Sequence, residues 1–140
     1  MREVVVTVVG TQTDEHGEES RIELIATGNS QEKNGVQYIT YRESEISGME
    51  GTTTVLKVFA DHFALIRMGA VEQKQEFFPG QKSYSTYITP LGAMKMGILT
   101  KRLELAVTCG TGFLSAAYEL EIDGRWLSSN TLSVTIQEEK

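Results

Sequence analysis

The segment IELIATGNSQEKNGVQYITYRE, residues 22–43, contains the clearest structural signal in the chain. Before Asn34-Gly35, apolar residues recur at alternate positions from Ile22 onwards, and after this dipeptide they alternate again as far as Tyr41. Alternation of this kind is typical of a β-strand with one buried face. Asn-Gly between two such stretches is the strongest short-range signal for a tight hairpin turn. The segment therefore predicts an antiparallel β-hairpin.

The same pattern extends in both directions from this hairpin. Further β-patterned segments cover residues 3–9, 52–59, 63–68, 71–78, 82–89, 93–100, 103–109, 114–122 and 132–136. Turn dipeptides such as Pro79-Gly80 and Asp123-Gly124 separate them. Roughly ten strands at about 8–13-residue spacing indicate a barrel or a sandwich. Because closure removes the exposed edges of an open sheet, we predict an all-β fold, an antiparallel up-and-down β-barrel, formed by one domain over residues 1–140.

The composition argues against several classes of partner. The chain has 19 acidic and 13 basic residues, a net charge of −6. An acidic surface repels the phosphate backbone, so nucleic-acid binding is not expected. Nothing approaches the roughly 20 apolar residues of a membrane span, so no membrane partner is expected. Cys109 is the only cysteine, so an intrachain disulfide is ruled out and a cytoplasmic location is favoured. We interpret Cys109 as a buried, inert thiol.

Two carboxylates and one arginine are the residues most suited to polar chemistry. Glu43 and Glu45 would share a face of an extended strand, although both could instead lie in water at the strand end. Arg67 alternates in phase with Phe63 and Leu65, so it becomes a buried cation if those two face inward. A buried cation needs a carboxylate, for which Glu43 or Glu45 is the candidate. Alternatively, Arg67 points outward or is closed in an internal salt bridge.

Tyrosine and methionine side chains are concentrated between residues 82 and 97. Tyr84, Tyr87, Met94 and Met96 combine adaptable packing with polar tips, which is common in ligand cavities and also in plain cores. The sequence thus nominates a candidate ligand-binding set consisting of Tyr41, Glu43, Arg67, Tyr87, Met94 and Met96.

Nothing in the sequence nominates a catalytic residue, a metal site or a cofactor. His16 and His62 are far apart and have no companion at metal-ligand spacing. Gly110-Thr111-Gly112 matches only part of a dinucleotide fingerprint and is better interpreted as a hairpin turn. No cofactor is therefore predicted.

Several motifs together resemble the YwiB-like family of small bacterial proteins of unknown function. These motifs are Tyr41-x-Glu43, Gly48-x-x-Gly51-Thr52-Thr53, Arg67-x-Gly69, Gly80 and Tyr87-x-Thr89-Pro90-x-Gly92. The resemblance extends from about Val4 to Ile136 and implies a calycin-type, lipocalin-like β-barrel. It implies no activity, since the family has no established one. It does not bring the lipocalin site either, because Trp126 lies far from the first strand.

Three hypotheses follow from the sequence. The first is a non-enzymatic binding module that holds a small apolar or amphipathic ligand, with Arg67 and Glu43 at the cavity mouth. The second is a structural or protein-interaction module whose barrel is filled by side chains. It would act through an exposed edge strand at residues 3–9 or as a homodimer. The third is an enzyme that uses the region of Glu43, Glu45 and Arg67.

Overall fold

The computed structural model describes residues 2–139, and within this range the chain forms ten β-strands. They are β1 (Arg2–Asp14), β2 (Glu19–Lys33), β3 (Val36–Arg42), β4 (Thr52–Val58), β5 (Phe63–Gly69), β6 (Gln73–Phe77), β7 (Lys82–Thr89), β8 (Gly92–Thr108), β9 (Thr111–Ile122) and β10 (Arg125–Glu138). A short 3-10 helix, Glu45–Ser47, lies between β3 and β4. Within residues 2–139, the helical structure falls short of the length and hydrophobicity that a membrane-spanning helix requires.

The ten strands form one sheet in which every neighbouring pair is antiparallel. The order is β6-β5-β4-β3-β2-β1-β10-β9-β8-β7, so consecutive strands are neighbours except β6 and β7, and β1 also pairs with β10. This arrangement is a nearly closed up-and-down barrel, and it confirms the predicted fold class. It also shows that β1 is paired on both sides, so the expectation of an exposed edge strand at residues 3–9 is wrong.

The barrel closes incompletely between β6 and β7, a boundary that we call the β6–β7 seam. A single backbone bridge joins Glu72 and Ile88, through two hydrogen bonds of 2.9 Å. Beyond the bridge, side chains replace the backbone ladder. Gln75 Nε2 donates to Ser83 Oγ (2.6 Å), and Ser85 Oγ donates to Gln75 Oε1 (2.7 Å). The seam is therefore held mainly by one amide and two hydroxyl groups.

Tight hairpin turns set the strand ends where the sequence predicts them. Asn34-Gly35 and Asp123-Gly124 have φ values of 53° and 80°, and of 50° and 85°. Positive φ at both central residues is the signature of a type I′ turn, whose twist matches that of the flanking strands. Cys109 occupies the first central position of a third such turn, with φ of 52°, and its side chain is exposed. The prediction of a buried thiol is wrong because turn tips project into solvent.

Two strands are longer than the sequence pattern indicates. β1 continues past Gly10 to Asp14, because β2 and β10 pair with it on both sides over this stretch. β8 is a single strand of 17 residues, whereas the pattern predicts two. The predicted break coincides with a shift of register between Thr100 and Arg102. This β-bulge reverses which alternate residues point inward but does not end the strand.

Apolar side chains fill one half of the barrel interior. Val4 and Val6 of β1 are fully buried there, and Phe63 stacks on Phe77 with ring centroids 4.4 Å apart. Other members of this core are Ile39, Val58, Leu114 and Ile136. The next inward residues of β1 along the strand are Val8, Gly10 and Gln12, and these line a cavity. The barrel is thus packed in one half and hollow in the other.

Candidate functional site

The hollow half of the barrel contains a cavity of about 340 Å³. This volume lies within the range of about 300–1,000 Å³ that small-molecule sites occupy. Much of its wall is apolar and comes from strands all around the barrel, including Leu24, Leu56, Leu65, Phe77, Ile98, Leu120 and Val134. Ile22, which is 45% exposed, and Gly48, beyond the 3-10 helix, also line the cavity, so it opens to solvent at this end.

Polar side chains cross the cavity wall in a single row, which we call the polar row. Cα register places Tyr41 of β3 opposite Thr54 of β4, Thr54 opposite Arg67 of β5, and Arg67 opposite Gln73 of β6. Residues opposite each other on adjacent strands point to the same face of a sheet. The four side chains therefore lie side by side at one level of the barrel interior.

Glu43 joins the polar row from the end of β3. Its backbone N–H donates to the Thr52 carbonyl at 2.9 Å, which holds the residue in line with the sheet. Its side chain is only 7% exposed and accepts a hydrogen bond of 2.5 Å from Thr54 Oγ1. Glu45, by contrast, is exposed on the 3-10 helix. The sequence left open whether Glu43 and Glu45 share a site or lie in water. In the structure, Glu43 lines the cavity and Glu45 does not.

Arg67 points inward with Phe63 and Leu65, and lines the cavity. Its Nη1 donates to Gln73 Oε1 at 2.8 Å. Its Nε is buried and has no hydrogen-bond partner. Among residues 2–139, no carboxylate oxygen lies within 4.0 Å of the guanidinium, so the ion pair expected with Glu43 or Glu45 is not formed. The cavity therefore contains a cation for which the described part of the chain supplies no carboxylate partner.

Two phenols share this environment with Arg67. Burial raises the pKa of Tyr41, the nearby negative charge of Glu43 raises it further, and the positive charge of Arg67 opposes both effects. Burial also raises the pKa of Tyr118, again against the charge of Arg67. Both side chains line the cavity, so at neutral pH each presents a protonated hydroxyl group that can donate a hydrogen bond.

The raised pKa of Tyr41 predicts a loss of stability in alkali. Above about pH 10 the phenol ionises in the unfolded chain while it stays protonated in the folded protein, and this ionisation stabilises the unfolded chain. The contribution of Tyr41 to the free energy of unfolding is therefore complete below about pH 10 and declines above it. We expect the slope of unfolding free energy against pH to be less negative in Tyr41→Phe by about 1.4 kcal/mol per pH unit. Urea unfolding at several alkaline pH values measures this slope. Identical slopes in the two proteins would contradict the assignment.

The structure brings most of the sequence-nominated set together. Tyr41, Glu43, Arg67, Tyr87 and Met96 all line the cavity. Met94 has the same alternation as Met96 but lies outside the residues that line it, because it is one step nearer the β7–β8 turn. That these side chains bind a ligand stays a prediction.

Sequence reasoning missed several polar residues of the cavity wall, of which Gln73, Gln75 and Asn130 are three. Gln73 and Gln75 face inward from β6, and Asn130 faces inward from β10. The signal in β6 was the alternation of Gln73, Gln75 and Phe77, all three of which are buried. Glutamine residues usually lie on the solvent face of a strand. The inward position of Gln73 and Gln75 can therefore be inferred only once Phe77, which shares their alternation, is known to point inward.

Comparison with known proteins supports the fold. A family model described as "Domain of unknown function (DUF1934)" matches residues 6–134. The uncharacterized β-barrel protein YwiB of Bacillus subtilis (strain 168) is 23% identical over 124 residues, which cover 89% of this chain and 86% of the relative. The crystal structure of the ywiB protein from B. subtilis aligns with a TM-score of 0.88 at 22% identity, over 99% of this chain and 93% of that one. The family resemblance inferred from the sequence motifs is confirmed, and the chain belongs to the DUF1934 family, whose function is unknown.

Proposed function

We propose that this protein is a non-enzymatic binding module that holds one small apolar or amphipathic molecule in the barrel. The observation that carries the proposal is the cavity of about 340 Å³, with apolar walls and polar groups gathered at one level. Pockets that combine a largely apolar lining with a few convergent polar groups are typical of small-molecule sites. A single ligand with an apolar body and a polar end would complement both features.

The contrast between the two halves of the barrel supports this proposal. In the packed half, β1 contributes valines at positions 4 and 6, whereas in the hollow half it contributes Gly10. A Cβ atom at Gly10 would have no contact closer than 3.9 Å, to the Thr131 carbonyl oxygen. Space at this position is therefore available to a larger side chain, and the chain leaves it unfilled.

We also propose a cytoplasmic location for this activity. The one cysteine, Cys109, is an exposed free thiol. Exposed thiols persist in reducing compartments and are readily oxidised elsewhere, which supports the proposal.

Native mass spectrometry of protein purified gently from its own cells tests the binding function. We expect an added mass that is absent after denaturation and refolding. The variant Gly10→Phe should lose the added mass, because its ring would occupy the cavity, whereas Gly10→Ala should keep it. A bare monomer mass for the wild-type protein, or an added mass that Gly10→Phe retains, would contradict the proposal.

The same spectrum distinguishes the alternative function, a structural or protein-interaction module. The edge-strand argument for that alternative no longer applies, since β1 is paired on both sides. A bare dimer mass would nevertheless favour it over ligand binding.

A further inference from the structure

We infer that the polar end of the ligand is a carboxylate and that Arg67 binds it; this inference rests on the proposed function. It starts from the hydrogen-bonding groups that the cavity leaves unused. A guanidinium group has N–H donors on Nε, Nη1 and Nη2, arranged in a planar fork that matches a carboxylate. Within residues 2–139, only Nη1 has a protein acceptor, the Gln73 side chain. Arg67 thus offers donors and charge without a matching acceptor.

Arg67 is half-buried, and its Nε is fully buried without an acceptor. A buried donor left unpaired is costly, which makes the missing acceptor significant. The Gln73 amide supplies one neutral oxygen, while its Nε2 turns away toward Met96 Sδ (2.9 Å) and Ser85 Oγ (3.5 Å). A bound anion would supply the charge and the acceptor oxygens that the protein does not. Charge-assisted hydrogen bonds to a carboxylate are roughly twice as strong as those between neutral groups.

Other cavity groups favour an acceptor on the ligand. Tyr41 and Tyr118 lie close enough to Arg67 for its charge to act on both of them. The protonated hydroxyl group of Tyr118 adds a donor beside the guanidinium, whereas that of Tyr41 is already directed to the Glu43 carboxylate. The surroundings of Arg67 are therefore rich in donors, and a ligand that brings oxygen acceptors complements them better than an ammonium or an apolar end does.

Glu43 limits the charge of the ligand. It is the carboxylate that faces the cavity beside Tyr41, and it is already engaged by Thr54 Oγ1. The negative charge of Glu43 would repel both charges of a dianionic phosphate. A carboxylate carries a single negative charge, which one guanidinium can neutralise. The combination of one free arginine and one nearby glutamate thus favours a carboxylate over a phosphate.

The apolar walls define the remainder of the molecule. Leu24, Leu56, Phe77, Leu120 and Val134 line the cavity around the polar row. An aliphatic chain or ring attached to the carboxylate would contact these side chains and leave the water phase, which is favourable in proportion to the apolar area buried. The inferred class is therefore a small amphipathic monocarboxylate.

Isothermal titration with octanoate, octanol and octylamine tests the inference, since these probes share one chain and differ at the polar end. We expect octanoate to bind about tenfold or more tightly than octanol, and octylamine to bind most weakly. Arg67→Met should reduce octanoate affinity about tenfold or more and abolish the preference for octanoate over octanol. The matched control Arg102→Met, at an exposed position of β8, should change neither.

A second variant keeps the inference testable if Arg67→Met is unstable. Glu43→Gln retains an oxygen that can accept from Thr54 and removes the negative charge, so octanoate should bind severalfold more tightly. Equal affinity of the wild-type protein for octanoate and octanol, or unchanged octanoate affinity in Arg67→Met, would overturn the carboxylate inference while leaving the binding function standing. If none of the three probes binds, the proposed function fails, and the inference fails with it.

Discussion

Replacing Gly28 by alanine lowers the free energy of unfolding by about 4 kcal/mol or more, a loss large enough to prevent folding in a domain of ordinary stability. An added Cβ atom would lie 2.2 Å from the Thr40 carbonyl oxygen and 3.2 Å from Tyr41 Cβ. The first of these atoms belongs to the backbone of the neighbouring strand and cannot move away without breaking the sheet. The cost is therefore steric and does not depend on a special φ value at Gly28.

The position of Gly28 links this cost to the site. Gly28 lies between Val4 of β1 and Tyr41 of β3 in the sheet register, so its missing side chain lets β3 approach closely. Tyr41 begins the polar row that continues to Arg67. Any Gly28→Ala protein that still folds should have Tyr41 displaced, and we expect it to lose octanoate binding as well as stability.

Gly10→Ala is the matched control for this prediction. Both glycines lie inside long strands and neither has positive φ, but the Cβ at Gly10 meets nothing closer than 3.9 Å. Alanine there should leave the unfolding free energy unchanged or raise it by up to about 1 kcal/mol, because it lowers the entropy of the unfolded chain. Urea unfolding followed by circular dichroism compares the two variants. Equal midpoints would contradict the steric argument.

Replacing Gln75 by leucine costs about 2–3 kcal/mol of unfolding free energy and loosens the β6–β7 seam. The Gln75 side chain is 1% exposed and is bonded to hydroxyl groups of both Ser83 and Ser85. Leucine has a similar size, so little space is lost or created. The expected cost arises because the half-buried Ser85 hydroxyl loses its acceptor, while the backbone pairing across the β6–β7 seam is limited to one bridge.

Hydrogen exchange and a mutant cycle test the seam directly. Amide protons of β6 and β7 should exchange faster in Gln75→Leu than in the wild-type protein, whereas those of β1, paired on both sides, should change far less. The triple variant Gln75→Leu, Ser83→Ala, Ser85→Ala should recover at least about 1 kcal/mol relative to the sum of the single changes, because it also removes the hydroxyl groups that Gln75→Leu deprives of their partner. Strictly additive losses would show that these side chains do not act together.

Local signals in the sequence account for much of the fold. The turn at Asn34-Gly35 and the turn at Asp123-Gly124 were predictable because only a few residues tolerate positive φ at both central positions. The errors lie where pairing partners far along the chain decide the outcome. The pattern of the first strand covers only residues 3–9, yet β2 and β10 pair with β1 as far as Thr13 and Asp14.

The candidate site was predictable only in part. The phase of Arg67 with Phe63 and Leu65 was visible in the sequence, and the structure places all three inward. The separation of Glu43 from Glu45 was not visible, because it depends on where the sheet ends and the 3-10 helix begins. The contact of Glu43 with Thr54 was not visible either, because it joins the end of β3 to a residue of β4.

The amino-acid sequence by itself determined that this chain forms antiparallel strands joined by tight turns, because alternation and turn chemistry are properties of a few consecutive residues. Only the tertiary structure decided that β1 closes on β10, that Glu43 and Arg67 share one cavity without pairing, and that side chains close the β6–β7 seam. These features depend on the register between strands that are distant in sequence. A shift of one residue in that register would turn every side chain to the opposite face, and no local pattern specifies it.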